Sequence, residues 1–141
     1  MATSKEPRVV VTAVADLPGL EQRHVAAVVT RAWGLLHGPP GVTVEVAFLD
    51  EAEHTRIHME LLNDPSPTDV MAIPYRDADL WGEILVNVDC ARREARERGV
   101  RDSQEALLYV AHGALHLLGM DDHDLEARAQ MRAMEKRLLS S

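Results

Sequence analysis

Two histidines four residues apart, His112 and His116, are followed by Gly119 and then by Asp121, Asp122 and His123. On a helix, residues i and i+4 stand about one turn apart on one face. Two imidazoles so placed can hold one metal ion through their ring nitrogens. The segment that carries them has helical spacing, with Ala106, Leu107, Val110, Ala111, Ala114, Leu115 and Leu118 on its buried face. Gly119 is suited to end this helix, because glycine takes the left-handed conformation without steric cost. The reversal would deliver Asp121, Asp122 and His123 back toward the pair, where a third ligand is needed. Three protein ligands leave zinc one open position for water, whose pKa the ion lowers toward neutral. The expected chemistry is therefore hydrolysis, and the ligands alone do not choose between a peptide and a phosphodiester.

The layout resembles the metzincin zinc site, with one difference. Zinc peptidases place Glu directly after the first His as general base; here that residue is Gly113. The catalytic base is left unassigned, with Glu83 and Asp121 as candidates. A rival pair, His54 and His58, has the same spacing but no turn nearby to supply a third ligand, and it reads as structural or as the edge of a cleft. Cys90 has no histidine close in sequence and reads as a small core residue.

These residues must be positioned by an alternation of strands and helices. Arg8 to Ala13 is rich in β-branched residues and predicts a first strand. Asp16, Leu17 and Pro18 punctuate, and helical spacing runs from Leu20 to Leu36 until Gly38-Pro39-Pro40-Gly41 stops it. Val42 to Leu49 alternates as a strand. Asp50 with Glu53 predicts a capping box for a helix reaching Leu62. Strands are predicted at Thr68 to Pro74 and at Trp81 to Val88. Asp89 is expected to cap a helix from Cys90 to Arg98 that Gly99 closes. Asp102 with Glu105 predicts a second capping box, opening the metal-bearing helix. A final amphipathic helix is expected from Leu125 to Leu139. The pattern predicts an α+β fold, one domain over residues 1–141, with a small mixed β-sheet packed against helices.

The 141 residues are enough to bury one core. No apolar run approaches membrane-spanning length, and Met1 to Pro7 lacks an apolar signal core. One cysteine excludes an intramolecular disulfide and fits a reducing, cytoplasmic setting. A net charge of −8 argues against a general nucleic-acid coat. Five arginines between Arg92 and Arg101 are either solvated partners of acidic residues, such as Glu94 with Arg98, or a phosphate-facing patch.

His112, Gly113, Leu115, His116, Leu117, Gly119 and Asp121 fall in register with the signature His-Gly-x-Leu-His-Leu-x-Gly-x-Asp-His. In this the sequence resembles the YbeY family of bacterial metallo-endoribonucleases. A second block of that family resembles Pro67-Thr68-Asp69-Val70-Met71-Ala72-Ile73-Pro74, and a third resembles Gly82-Glu83-Ile84-Leu85-Val86. The resemblance implies a metzincin-like hydrolase fold, one Zn2+ and cleavage of single-stranded RNA. It also implies ribosomal RNA and the ribosome as partners, in maturation of the 3′ end of 16S rRNA and in ribosome quality control. Neither DNA nor a membrane is expected. Two departures matter. The family's arginine before the Thr-Asp-Val block is absent, Leu61-Leu62-Asn63 standing there, and Arg56 or Arg76 would have to replace it. Asp122 falls where the family has its third His, and His123 comes one residue later. His123 is favoured as third ligand beside His112 and His116, because a loop absorbs an extra residue more easily than a helix; Asp122 is the alternative. Two other readings compete: a metal hydrolase of another substrate class, such as a peptidase, and a non-enzymatic ribosome-associated protein with a structural zinc.

Overall fold

The computed structural model describes residues 6–14 and 17–140. The N-terminal Met1 to Lys5, and Asp16 of the punctuating stretch Asp16-Leu17-Pro18, lie outside them. The order is β1 (Arg8–Val14), α1 (Gln22–Leu35), β2 (Thr43–Leu49), α2 (Glu51–Leu62), β3 (Val70–Pro74), β4 (Gly82–Asn87), α3 (Val88–Arg98), α4 (Asp102–Leu117) and α5 (Leu125–Leu139). The strands form one mixed sheet in the order β1-β2-β4-β3. β1, β2 and β4 run parallel, as strands joined through helices do, and β3 pairs antiparallel with β4 at the edge. This is the α+β layer arrangement that the sequence pattern implies.

Strand alternation decides which side chains meet which helices. Val44, Val46 and Phe48 of β2 and Ile84 and Val86 of β4 face the main core, with Val25, Val29 and Trp33 of α1 and Val110, Ala114 and Leu115 of α4. Ala47, Leu85 and Met71 face the other way, onto a smaller cluster that includes Ile57 of α2. Helix α4 is the central helix of the main core: Ala106, Val110, Ala111, Ala114 and Leu115 are all 0% exposed. Burying a Val or Leu side chain contributes about 1.5–3 kcal/mol. The helix that carries His112 and His116 is thus held in place by apolar packing on several sides.

Two helix starts differ from the sequence expectation. Asn87, not Asp89, caps α3, its side chain accepting from the Cys90 amide at 3.0 Å. Asp89 is already helical and accepts instead from the Glu51 amide at 2.8 Å, tying α3 to α2. In α4 the N-cap is Arg101, and the expected box between Asp102 and Glu105 does not form. Gln104 Oε1 accepts from the Arg101 amide at 3.0 Å, while Glu105 is only 2% exposed and turns inward, 3.5 Å from Arg98. The box between Asp50 and α2 does form on its aspartate side, through the Glu53 amide at 2.9 Å.

Candidate metal centre

His112 and His116 sit one turn apart near the end of α4, and their Nε2 atoms are 3.0 Å from each other. The helix closes with a Schellman turn: the Met120 amide donates to Leu115 O and the Gly119 amide to His116 O, both at 3.0 Å. Gly119 has φ +97°, the left-handed geometry that this closure requires. So tight a reversal returns the chain at once, and Asp122 Oδ2 comes to 3.8 Å from His112 Nε2. One ligand atom from each of His112, His116 and Asp122 lies within 4.8 Å of the others. Zinc with four bonds of about 2.0–2.1 Å sets its ligand atoms roughly 3.3 Å apart. The spacings of 3.0 and 3.8 Å bracket that value, so the three groups fit one ion. Two imidazoles and a carboxylate are also a donor set that zinc accepts.

His123 lies outside this group. Its side chain is 86% exposed, with Nε2 4.0 Å from Asp121 Oδ2. Asp121 is spent on the turn itself, accepting from the His123 amide at 3.3 Å. The loop keeps its short course through the extra residue, and that course puts Asp122 rather than His123 beside the pair. Glu83 does not approach the site either. It alternates with Ile84, which packs on α4, and so projects from the opposite face of the sheet, where the Tyr75 hydroxyl donates to it.

One residue at the site had no signal in the motif. Glu135 of α5, 7% exposed, places Oε2 3.1 Å from His112 Nδ1. The imidazole donates Nδ1–H to that carboxylate, which fixes the ring and aims Nε2 at His116 and Asp122. This hydrogen bond raises the His112 pKa despite burial. Burial lowers that of His116, and the neighbouring His112 adds to the effect. The signal available in sequence was the stripe Met131, Glu135, Leu138: an acidic residue at a core position of an amphipathic helix.

Gly113 has a packing reason. A Cβ there would stand 2.7 Å from Ile84 Cγ2, so this face of α4 lies flush against β4. A glutamate in the peptidase position has no room, and Gly113 supplies no base. The second His pair divides its roles. His54, 0% exposed, donates Nε2–H to Leu85 O at 2.8 Å, and among the described residues its Nδ1 has no partner. His58 lines a cleft of about 620 Å³ that also takes in His116, Leu117, Leu62 and the strand β3. Among the described residues, no Lys or Arg lines this cleft. The arginine run is largely occupied elsewhere: Arg92 pairs with Asp89, Arg93 with Glu51 and Arg98 with Glu105 rather than with Glu94. Arg56 is likewise held by Glu53 and Glu60 on the surface of α2. Burial pushes the Cys90 thiol up, with the Tyr109 hydroxyl 3.7 Å away.

A helix-borne histidine pair and a returning carboxylate, open to a cleft at the edge of a mixed sheet, have the layout of a hydrolase site. The chain belongs to the endoribonuclease YbeY family, whose model matches residues 19–141. Curated relatives carrying that name include one from Clavibacter sepedonicus, 30% identical over 121 residues, which are 78% of this chain and 79% of the relative. Another, from Synechococcus sp. (strain CC9605), is 33% identical over 114 residues, 74% of this chain and 69% of the relative. The solution structure of TM1509 from Thermotoga maritima matches with a TM-score of 0.65 at 24% identity, covering 94% of this chain and 86% of that one. At that identity the likeness is one of fold. No helix among the described residues is long and apolar enough to cross a membrane.

Proposed function

We propose that the protein is a zinc-dependent endoribonuclease that cleaves single-stranded RNA, with His112, His116 and Asp122 as the ligands of one zinc ion. Its place would be the cytoplasm and its substrate ribosomal RNA, in maturation of the 3′ end of 16S rRNA and in ribosome quality control. The observation that carries this reading is the gathering of three ligand atoms beside an open cleft, in a chain of an endoribonuclease family.

A bound zinc ion supplies Lewis acidity toward a phosphoryl oxygen and toward water. The protein does the rest. Glu135 holds His112 in the tautomer that leaves Nε2 free to ligate. Asp122 brings one negative charge to the ligand set, which keeps the centre's net charge low and its hold on zinc firm. Leu117, Leu62 and β3 give the cleft an apolar wall, which lowers the local dielectric around a bound phosphodiester. Among the described residues no Lys or Arg lines that wall, while Arg76 lines a neighbouring cavity with Leu117 and Gly119; with no cation in the wall itself, slow turnover is expected.

The test is cleavage of a single-stranded ribosomal RNA fragment and of its duplex by purified protein, with and without chelator. Cleavage of the single strand alone, abolished by chelation and by His116→Ala in a variant that still melts cooperatively, is expected. Activity that survives both treatments would assign the cleavage to a contaminant and leave a structural zinc as the better reading.

A further inference from the structure

We propose that a cavity at the other end of α4 is a second site, which takes a phosphate monoester carrying an apolar body: a nucleoside monophosphate, free or at the 5′ end of a strand. The cavity holds about 670 Å³ and lies between α1 and the start of α4, within the range of small-ligand pockets. It is separate from the metal centre. Ser103 and His112 are nine residues apart, which on a helix is about 13.5 Å along the axis and half a turn around it.

Three observations converge on an anion. First, the α4 N-terminus is left open. Arg101, which has no acceptor to offer, stands at the N-cap, and Arg101 O is taken up by the Gln104 and Glu105 amides. The Asp102 and Ser103 amides precede any intrahelical acceptor. Second, Ser103 lines the cavity at 9% exposed, and among the described residues its hydroxyl has no hydrogen-bond partner. A Cβ on Gly19 would stand 3.3 Å from Ser103 Oγ, so glycine there leaves the hydroxyl uncovered. Third, Arg31 is held at the cavity by one bond, Nη1 to Leu138 O at 2.7 Å, which leaves its remaining N–H groups available. Arg101 lines the same space, so among the described residues two guanidinium groups face one carboxylate, that of Asp102. Helix amides, a hydroxyl and guanidinium groups are what a phosphate monoester needs. Val28 and Leu107 line the remaining wall and would cover an apolar ring.

Calorimetry on the zinc-loaded protein tests this with AMP, a 5′-phosphorylated dinucleotide, adenosine and inorganic phosphate as probes. AMP or the dinucleotide should bind at least about tenfold more tightly than adenosine or phosphate, and the tighter of the two names the source. Ser103→Ala and Arg101→Ala should each weaken that binding by about tenfold, the worth of one charge-assisted hydrogen bond, with zinc content unchanged. The site is refuted if neither probe binds, if adenosine or phosphate alone binds as tightly, or if both variants bind as the wild type does, which would place the nucleotide at the metal centre.

Discussion

Glu135 ties the last helix to His112, one of the three proposed zinc ligands. Replacing it with Gln keeps the size and loses the charge that holds His112 Nδ1–H. Zinc affinity should fall about 10–100-fold in Glu135→Gln and at least as far in Glu135→Ala, measured by competition with a chromogenic chelator. An unchanged affinity in both would make the contact incidental to the metal. His54 shows a different consequence of burial. With Nε2–H bonded to Leu85 O and no acceptor at Nδ1, protonation would bury a second N–H unpaired, and burial lowers its pKa. The unfolded chain titrates near the ordinary imidazole value of about 6.5. Between the folded and unfolded values the unfolded state binds more protons, so this residue's contribution is complete above about pH 6.5 and is lost as pH falls below it. His54→Gln should therefore melt with a shallower pH dependence between about pH 5 and 6.5 than the wild type; parallel curves would contradict this. Of the three side chains that gather, His112 and His116 were legible because helical spacing is local. The third was not: whether a seven-residue turn places Asp122 or His123 beside the pair depends on loop geometry, and Glu135 depends on how α5 packs.

At the scale of elements, α4 and β4 fit only because position 113 has no side chain. Gly113→Ala would put a Cβ 2.7 Å from Ile84 Cγ2. Overpacking of this kind costs about 1–3 kcal/mol, against a helix-propensity gain of roughly 0.5–1 kcal/mol. A lower urea midpoint with an unchanged m-value is expected; a gain in stability would mean that the contact is slack. Elements with strong periodicity were legible almost to the residue: α5 runs from Leu125 to Leu139, and α2 ends at Leu62 before Asn63 in the left-handed conformation. Helix starts were harder to read. Asn87 and Asp89 are both good caps, and only the end of β4 decides between them. Glu105 fits a capping box by type, yet burial against Arg98 claims it. Strand order was not legible at all, because pairing β4 with β2 across α2 and β3 is a long-range choice.

For the whole molecule, the net charge is −8, and Arg92, Arg93 and Arg98 of the arginine run are each paired with an acidic residue. Single-strand binding changes with salt by a log–log slope of about −0.7 per phosphate contact. A shallow slope, on the order of one or two contacts, is expected from cleavage rates below saturation; a steep one would reveal a basic surface that the ion pairs conceal. The central claim joins the three ligands to the cleavage, and one titration tests it. Protein stripped by chelator is given zinc back in steps while cleavage of single-stranded RNA is followed, for wild type, Asp122→Asn and His123→Ala. Wild type and His123→Ala should regain activity over the same zinc range, and Asp122→Asn should need far more zinc or stay inactive. Recovery of Asp122→Asn at the wild-type concentration, with His123→Ala left inactive, would move the third ligand to His123 and contradict the site described above.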